Sequence, residues 1–152
     1  MIEKLIIAGF GGQGILTIGK LLGQCAIDQG LEVTYLPSYG SEVRGGTANC
    51  HIIISDAEIG SPVVEEADAM IIMNNASFDR FADQIRPDGL LVLNGSLIEA
   101  ASETAQQQVL MVDATNLAAN LGNVVVANMI MAGAYLAARQ ILPIHSFADG
   151  LE

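Results

Sequence analysis

Six short apolar runs, separated by stretches of mixed polarity, set the hydrophobic pattern of this 152-residue chain. Lys4–Ala8, Glu32–Leu36, Asn49–Ser55, Ala69–Met73, Leu90–Asn94 and Val109–Val112 are rich in Ile, Leu and Val and hardly alternate, as strands covered on both faces do. Between them lie helical signals. Ile15–Gln29 places Leu16, Gly19, Leu22, Gly23 and Ala26 on one face and ends at Gly30, the residue type that closes helices. Ser61-Pro62 reads as a cap and first helical position. Ser77 reads as the cap of a helix through Ile85, ended by a turn at Arg86-Pro87-Asp88-Gly89. Val124–Gln140 is expected to be the longest helix, with Ala127, Ala132, Gly133, Ala134, Ala137 and Ala138 allowing close approach by a neighbour. Ser146-Phe147-Ala148-Asp149 has the form of a capping box. This alternation predicts an α/β fold: a Rossmann-like, mainly parallel sheet with helices on both faces, in a single domain.

Composition narrows the picture. Apolar residues make up 51% of the chain, beside sixteen glycines, so some apolar surface is expected to be covered by another chain. The net charge of −11 rests on only six Lys and Arg. That balance opposes nucleic acid and anionic membranes, which need a basic patch. Ala114–Ala138 carries no charge, but Asn116, Asn120, Gly122, Asn123 and Asn128 interrupt it, so no stretch suits a membrane span. Cys25 and Cys50 read as buried, reduced thiols of a cytoplasmic protein. With His51 and His145 they have no metal-ligand spacing. The N-terminus does not read as a signal peptide, because Glu3 and Lys4 lead directly into a strand.

Two loops carry the candidate chemistry. Gly9-Phe10-Gly11-Gly12-Gln13-Gly14 follows the first strand and opens the first helix. Backbone N–H groups at a helix N-terminus favour an anion, and glycines 9, 11 and 14 match the dinucleotide fingerprint. A dinucleotide site also needs an Asp or Glu at the end of the second strand; here that strand ends Thr34-Tyr35-Leu36-Pro37. The better reading gives Gly14 a close helix–strand packing role and leaves Gly11, Gly12 and Gln13 for an anion or a partner's backbone. The second loop, Pro37–Thr47, joins two strands without a clear helix, and such connections tend to be functional. Arg44 is the only Lys or Arg between Lys20 and Arg80. Its guanidinium could hold a carboxylate or phosphate through two parallel bonds, or pair with Glu42 and shape the loop.

The segments GFGGQG (Gly9–Gly14), SYGSEVRGG (Ser38–Gly46) and GNVVVANMIMAGA (Gly122–Ala134), in this order, resemble the gamma subunit of the 2-oxoacid:ferredoxin oxidoreductases. The resemblance spans nearly the whole chain, and SYGSEVRGG is its most specific part. It implies a thiamine-diphosphate-dependent enzyme that oxidatively decarboxylates a 2-oxoacid, gives the acyl group to coenzyme A and passes electrons to ferredoxin. Thiamine diphosphate, Mg and iron–sulfur clusters would sit in alpha, beta and ferredoxin-like partner subunits. This chain would serve assembly and coenzyme A binding, with Gly11, Gly12, Gln13 and Gly14 as the anion cradle. Ser38, Tyr39, Glu42, Arg44, Gly45, Gly46 and Asn128 would lie at the interface or active-site loop. No catalytic and no metal-binding residue is assigned. The family usually continues beyond the point where this sequence stops, so a C-terminal segment is expected to be missing. The loop form favours 2-oxoglutarate over branched-chain 2-oxoacids and pyruvate.

Two other classes remain open: an NAD-dependent dehydrogenase, disfavoured by the missing carboxylate, and a stand-alone binding module for an anionic metabolite. Arg44 separates the local from the external reading. If Arg44 serves a buried anion outside its loop, Arg44→Ala strands that partner at a cost on the order of 3–5 kcal/mol. An exposed pair with Glu42 is worth roughly 0–1 kcal/mol. The expected outcome in a reconstituted complex is lost turnover with an unchanged melting temperature, and a large deficit in Arg44→Lys as well. A lowered melting temperature with intact turnover assigns Arg44 to its own loop.

Overall fold

The computed structural model describes residues 1–39, 46–99 and 107–151. Six strands form one sheet: β1 (Ile2–Phe10), β2 (Glu32–Tyr39), β3 (Thr47–Ser55), β4 (Ala67–Ile72), β5 (Ile85–Asn94) and β6 (Gln108–Val112), in the order β2-β3-β1-β4-β5-β6. All six apolar runs are therefore strands, each longer than its run or shifted by a residue or two. The pairs β1–β4, β4–β5 and β5–β6 are parallel. Only β3 runs against the rest, antiparallel to both β1 and β2. The mainly parallel sheet is thus correct, with a reversed strand inserted beside β1.

Side-chain alternation feeds two cores. Leu5 and Ile7 of β1 face one, with Cys50, Ile52 and Ile54 of β3. This side is covered by α1 (Ile15–Asp28), α3 (Ala114–Asn120), α4 (Ala127–Arg139) and α5 (Ile144–Asp149). Ile6 and Ala8 face the other core, covered by α2 (Asn75–Phe81) through Phe78 and Phe81 and by Val64 and Ile98. Helices lie on both faces, but unequally. Helix α1 approaches the sheet closely because Gly19 has no side chain: a Cβ there would stand 2.6 Å from Cys50 Sγ. Among the described residues no helix is long and apolar enough to cross a membrane.

Several helix expectations fail for local reasons. No helix follows Ser61-Pro62. Ser61 Oγ instead accepts from the Val63 N–H at 3.3 Å, and the Val64 N–H donates to His51 Nδ1 at 3.3 Å, so the chain crosses the sheet and buries Val64. Ser77 does not cap its helix; Asn74 does, accepting from the Ser77 N–H at 2.9 Å. Arg86–Gly89 is not a turn before a strand but an irregular excursion inside β5, where pairing with β4 jumps from Ala67↔Ile85 to Ala69↔Leu90. Val124–Val126 is a 3-10 turn ahead of α4, which makes α1, at fourteen residues, one longer than α4. Of the small residues on α4, Ala127 and Ala132 are buried, whereas Ala137 and Ala138 are exposed. Helix α5 starts after Pro143, so Ser146 lies within it.

Glu3 is 2% exposed, unexpectedly for a carboxylate next to the N-terminus. Its oxygens accept from Tyr135 Oη at 3.0 Å and Arg139 Nε at 2.8 Å, and Arg139 Nη2 completes the fork. Burial, and then the neighbouring Glu3 charge, hold the Tyr135 hydroxyl well above its usual pKa. This network ties β1 to α4. Arg139→Ala leaves the carboxylate buried without its cation; since the guanidinium is 32% exposed, the expected loss is at the lower end for a broken buried pair, on the order of 3 kcal/mol. Urea unfolding checks it, with Glu3→Met/Arg139→Leu expected to recover most of the stability.

Candidate functional site

The site lies where the parallel strands end. After β1 the chain turns to the α1 face; after β4, its parallel neighbour, it turns to the α2 face. Such a switch point opens a crevice outside the carboxyl ends of the strands, where open α/β sheets bind ligands. Gly11–Gln13 form a single 3-10 turn at its edge, and Gly14 precedes α1 with φ +70°. A cleft of about 220 Å³ lies beside this turn, lined by Gly12, Gln13, Leu97, Thr115, Val124 and Val125 among others.

Buried amides fix the cleft floor. Gln13 Oε1 accepts from the Phe10 N–H at 2.7 Å and from Asn74 Nδ2 at 3.0 Å, spanning the crevice. Asn94, fully buried, donates from Nδ2 to Met73 O at 3.2 Å and to Thr115 Oγ1 at 2.9 Å. Beside them Ser96 Oγ donates to Asp113 Oδ1 and accepts from the Asn116 N–H at 3.1 Å. Asn74, Asn94 and Thr115 went unread in the sequence. They look like any polar loop residue until the sheet brings their strand ends together.

The two sequence-defined loops do meet. The Gly11 N–H donates to Gly46 O at 3.2 Å, and Gly9 and Phe10 stand opposite Ala48 and Thr47. One donor of the expected anion cradle is therefore already used, leaving Gly12 as its open element: a Cβ at Gly12 meets nothing within 4 Å. Gly14 plays a different part. Asn128, buried on α4, donates from Nδ2 to Gly14 O at 3.2 Å while its Oδ1 accepts from the Met129 N–H at 2.8 Å. A Cβ at Gly14 would stand 2.2 Å from that Nδ2. Gly14 thus packs on α4, not on a strand. Ser38 is exposed near the end of β2, and Tyr39 is its last residue. Glu42, Arg44 and Gly45, and the Tyr39 side chain, lie outside the described residues.

Cys25 and Cys50 are both buried and free. Burial pushes the Cys50 thiol up to about 12, so it stays protonated. His51, half-buried, is held below its usual pKa by burial first and by Arg80 second. Among the described residues no three His, Cys, Asp or Glu side chains are grouped to hold a metal ion.

A dinucleotide reading meets a topological obstacle beyond the absent carboxylate. In dinucleotide domains β2 lies beside β1; here β3 separates them.

Residues 4–152 match the pyruvate ferredoxin/flavodoxin oxidoreductase family, and the chain belongs to it. The ketoisovalerate oxidoreductase subunit VorA of Methanothermobacter thermautotrophicus is 36% identical over 134 residues, covering 88% of this chain and 28% of that subunit. This chain thus spans little more than a quarter of that relative's length. The 2-oxoglutarate synthase subunit KorC of the same organism is 30% identical over 157 residues, covering 99% of this chain and 83% of the relative. Two solved structures share the fold. The gamma subunit of a keto/oxoacid ferredoxin oxidoreductase from Geobacter sulfurreducens has a TM-score of 0.84 at 23% identity, covering 98% of this chain and 84% of that one. The 2-oxoglutarate:ferredoxin oxidoreductase of Magnetococcus marinus, solved with 2-oxoglutarate, coenzyme A and succinyl-CoA, has a TM-score of 0.91 at 20% identity. It is covered for 26% of its length, by 99% of this chain.

The glycine loop divides cleanly by experiment. Gly14→Ala forces a side chain into the left-handed region, at roughly 1–2 kcal/mol, and into Asn128, so the melting temperature is expected to fall. Gly12→Ala is expected to leave stability within about 0.5 kcal/mol. Circular dichroism melts of both variants check the split.

Proposed function

We propose that this chain is the gamma-type part of a cytoplasmic, thiamine-diphosphate-dependent 2-oxoacid:ferredoxin oxidoreductase that converts a 2-oxoacid to its acyl-CoA. Its role there is assembly and coenzyme A contact, with thiamine diphosphate, Mg and iron–sulfur clusters held by alpha, beta and ferredoxin-like partners and ferredoxin as acceptor. The observation that carries this reading is the apolar rim of the switch-point cleft. Leu97, Val124 and Val125, which line it, are 40%, 57% and 72% exposed. Large apolar side chains clustered around a ligand cleft are a mark of an interaction surface. Family membership adds the chemistry, and the relatives' names supply the class of substrate.

The cleft suits one portion of coenzyme A better than the rest. Its described lining is uncharged, with the Thr115 hydroxyl as a polar point between Leu97, Val124 and Val125. An uncharged amide-bearing arm such as pantetheine fits that chemistry. Phosphates call for cations, and Arg44, in the neighbouring loop, is the residue we assign to them. When bound, coenzyme A supplies the thiol that accepts the acyl group. Gly12 and Gln13 would bind and orient the arm, and the Gln13–Asn74 bridge would hold the floor on which it rests.

The test is purification of the tagged chain from its own host. The expected outcome is a complex containing a thiamine-binding subunit, whose viologen reduction requires coenzyme A and proceeds with 2-oxoglutarate faster than with 2-oxoisovalerate or pyruvate. Gly12→Val in that complex is expected to raise the KM for coenzyme A. The chain alone is expected to be colourless, to have no oxidoreductase activity and to bind no NADH at micromolar concentration by calorimetry. A chain that purifies alone and binds an anionic metabolite would instead be a stand-alone module.

A further inference from the structure

A second concavity, about 310 Å³ in volume, lies on the α2 side of the sheet over β2 and β3. Helix α1 and its companions cover the opposite face, and here the end of α2 supplies Arg80 and Phe81 to one wall of the groove while β2 and β3 supply Leu36, Ser38, Asn49 and His51. Asn49, 3% exposed, lines the groove and offers it a side-chain amide.

Its surroundings are donors. The Val64 N–H donates to His51 Nδ1, so the neutral ring carries its proton on Nε2 and donates from there. Arg80 stands at the mouth with its guanidinium 4.9 Å over the Phe81 ring and Nη1 donating to Thr47 Oγ1 at 3.2 Å. Those contacts preorient the fork and, among the described residues, use one of its five donors. Arg80 makes no ion pair among the described residues, and no described lining residue is acidic. In a chain of net charge −11, a groove headed by an arginine and with no carboxylate among its described lining residues is a local reversal of sign. Leu36 and Phe81 add apolar surface.

We propose that this groove binds a short-chain organic carboxylate, its oxygens held by Arg80, His51 and Asn49 and its carbon body resting on Leu36 and Phe81. A phosphate fits less well, because its higher charge would meet one guanidinium and otherwise neutral donors. The site lies on the face of the sheet opposite α1 and is separate from the switch-point cleft.

The chain has only two histidines, and His145 is exposed on α5. Titrating the full chain with 2-methylpropanoate at constant ionic strength, while following the histidine ring protons by NMR, therefore carries its own control. The expected result is a saturable shift of the His51 signals with His145 unmoved. Arg80→Gln is expected to weaken binding about tenfold or more, in line with a charge-assisted bond, and Arg80→Lys less. Arg80 is exposed, so the fold should persist. Ser38→Asp, at an exposed lining position, provides a second variant and should weaken binding by charge repulsion. Absence of saturation, equal shifts of both histidines, or full affinity in Arg80→Gln and Ser38→Asp would overturn the proposal. So would inorganic phosphate binding as tightly as the carboxylate.

Discussion

The central strand β1 is the constraint on which the rest depends. Leu5, Ile6, Ile7 and Ala8 are each fully buried, and each is paired on one side to β3 and on the other to β4. A strand paired twice and covered on both faces has no freedom of register, since a one-residue slip would exchange the two cores. Its end therefore fixes where Gly11–Gly14 emerges, where the crevice with β4 opens and which strand ends Gln13 can reach. The Glu3 network at its other end anchors the same strand to α4.

The strands were readable because a strand covered on both faces must be apolar at nearly every position, and few other segments are. The helix starts were less so. Ser61, Ser77 and Ser146 each had the local chemistry of a cap, but capping is decided by which neighbour reaches the open N–H groups first. At Ser77 that neighbour is Asn74; at Ser61 the chain spends its donors on Ser61 itself and on His51. In the site, the glycine loop and Asn128 could be found from their order along the chain. Asn74, Asn94 and Thr115 could not, because a buried amide and an exposed one are the same letter until tertiary structure separates them. The same applies to the Asn49 groove, whose residues come from β2, β3 and α2.

Charge distribution unites these observations. A net charge of −11 repels anions from much of the surface, and surfaces for other molecules must be exempted from that rule. This chain uses two kinds of exemption. The switch-point cleft has an uncharged described lining with Leu97, Val124 and Val125 exposed in it, which suits apolar contact. The groove over β2 and β3 is headed by a cation and suits an anion.

One modest bond, from the Gly11 N–H to Gly46 O, has a thermodynamic consequence. It ties the turn that ends β1 to the residue that leads into β3. Any molecule that binds this turn more tightly when the bond is intact must strengthen the bond, and whatever holds Gly46 in place must return the same free energy to the turn. The coupling is reciprocal by necessity and limited by what that contact and its neighbours are worth.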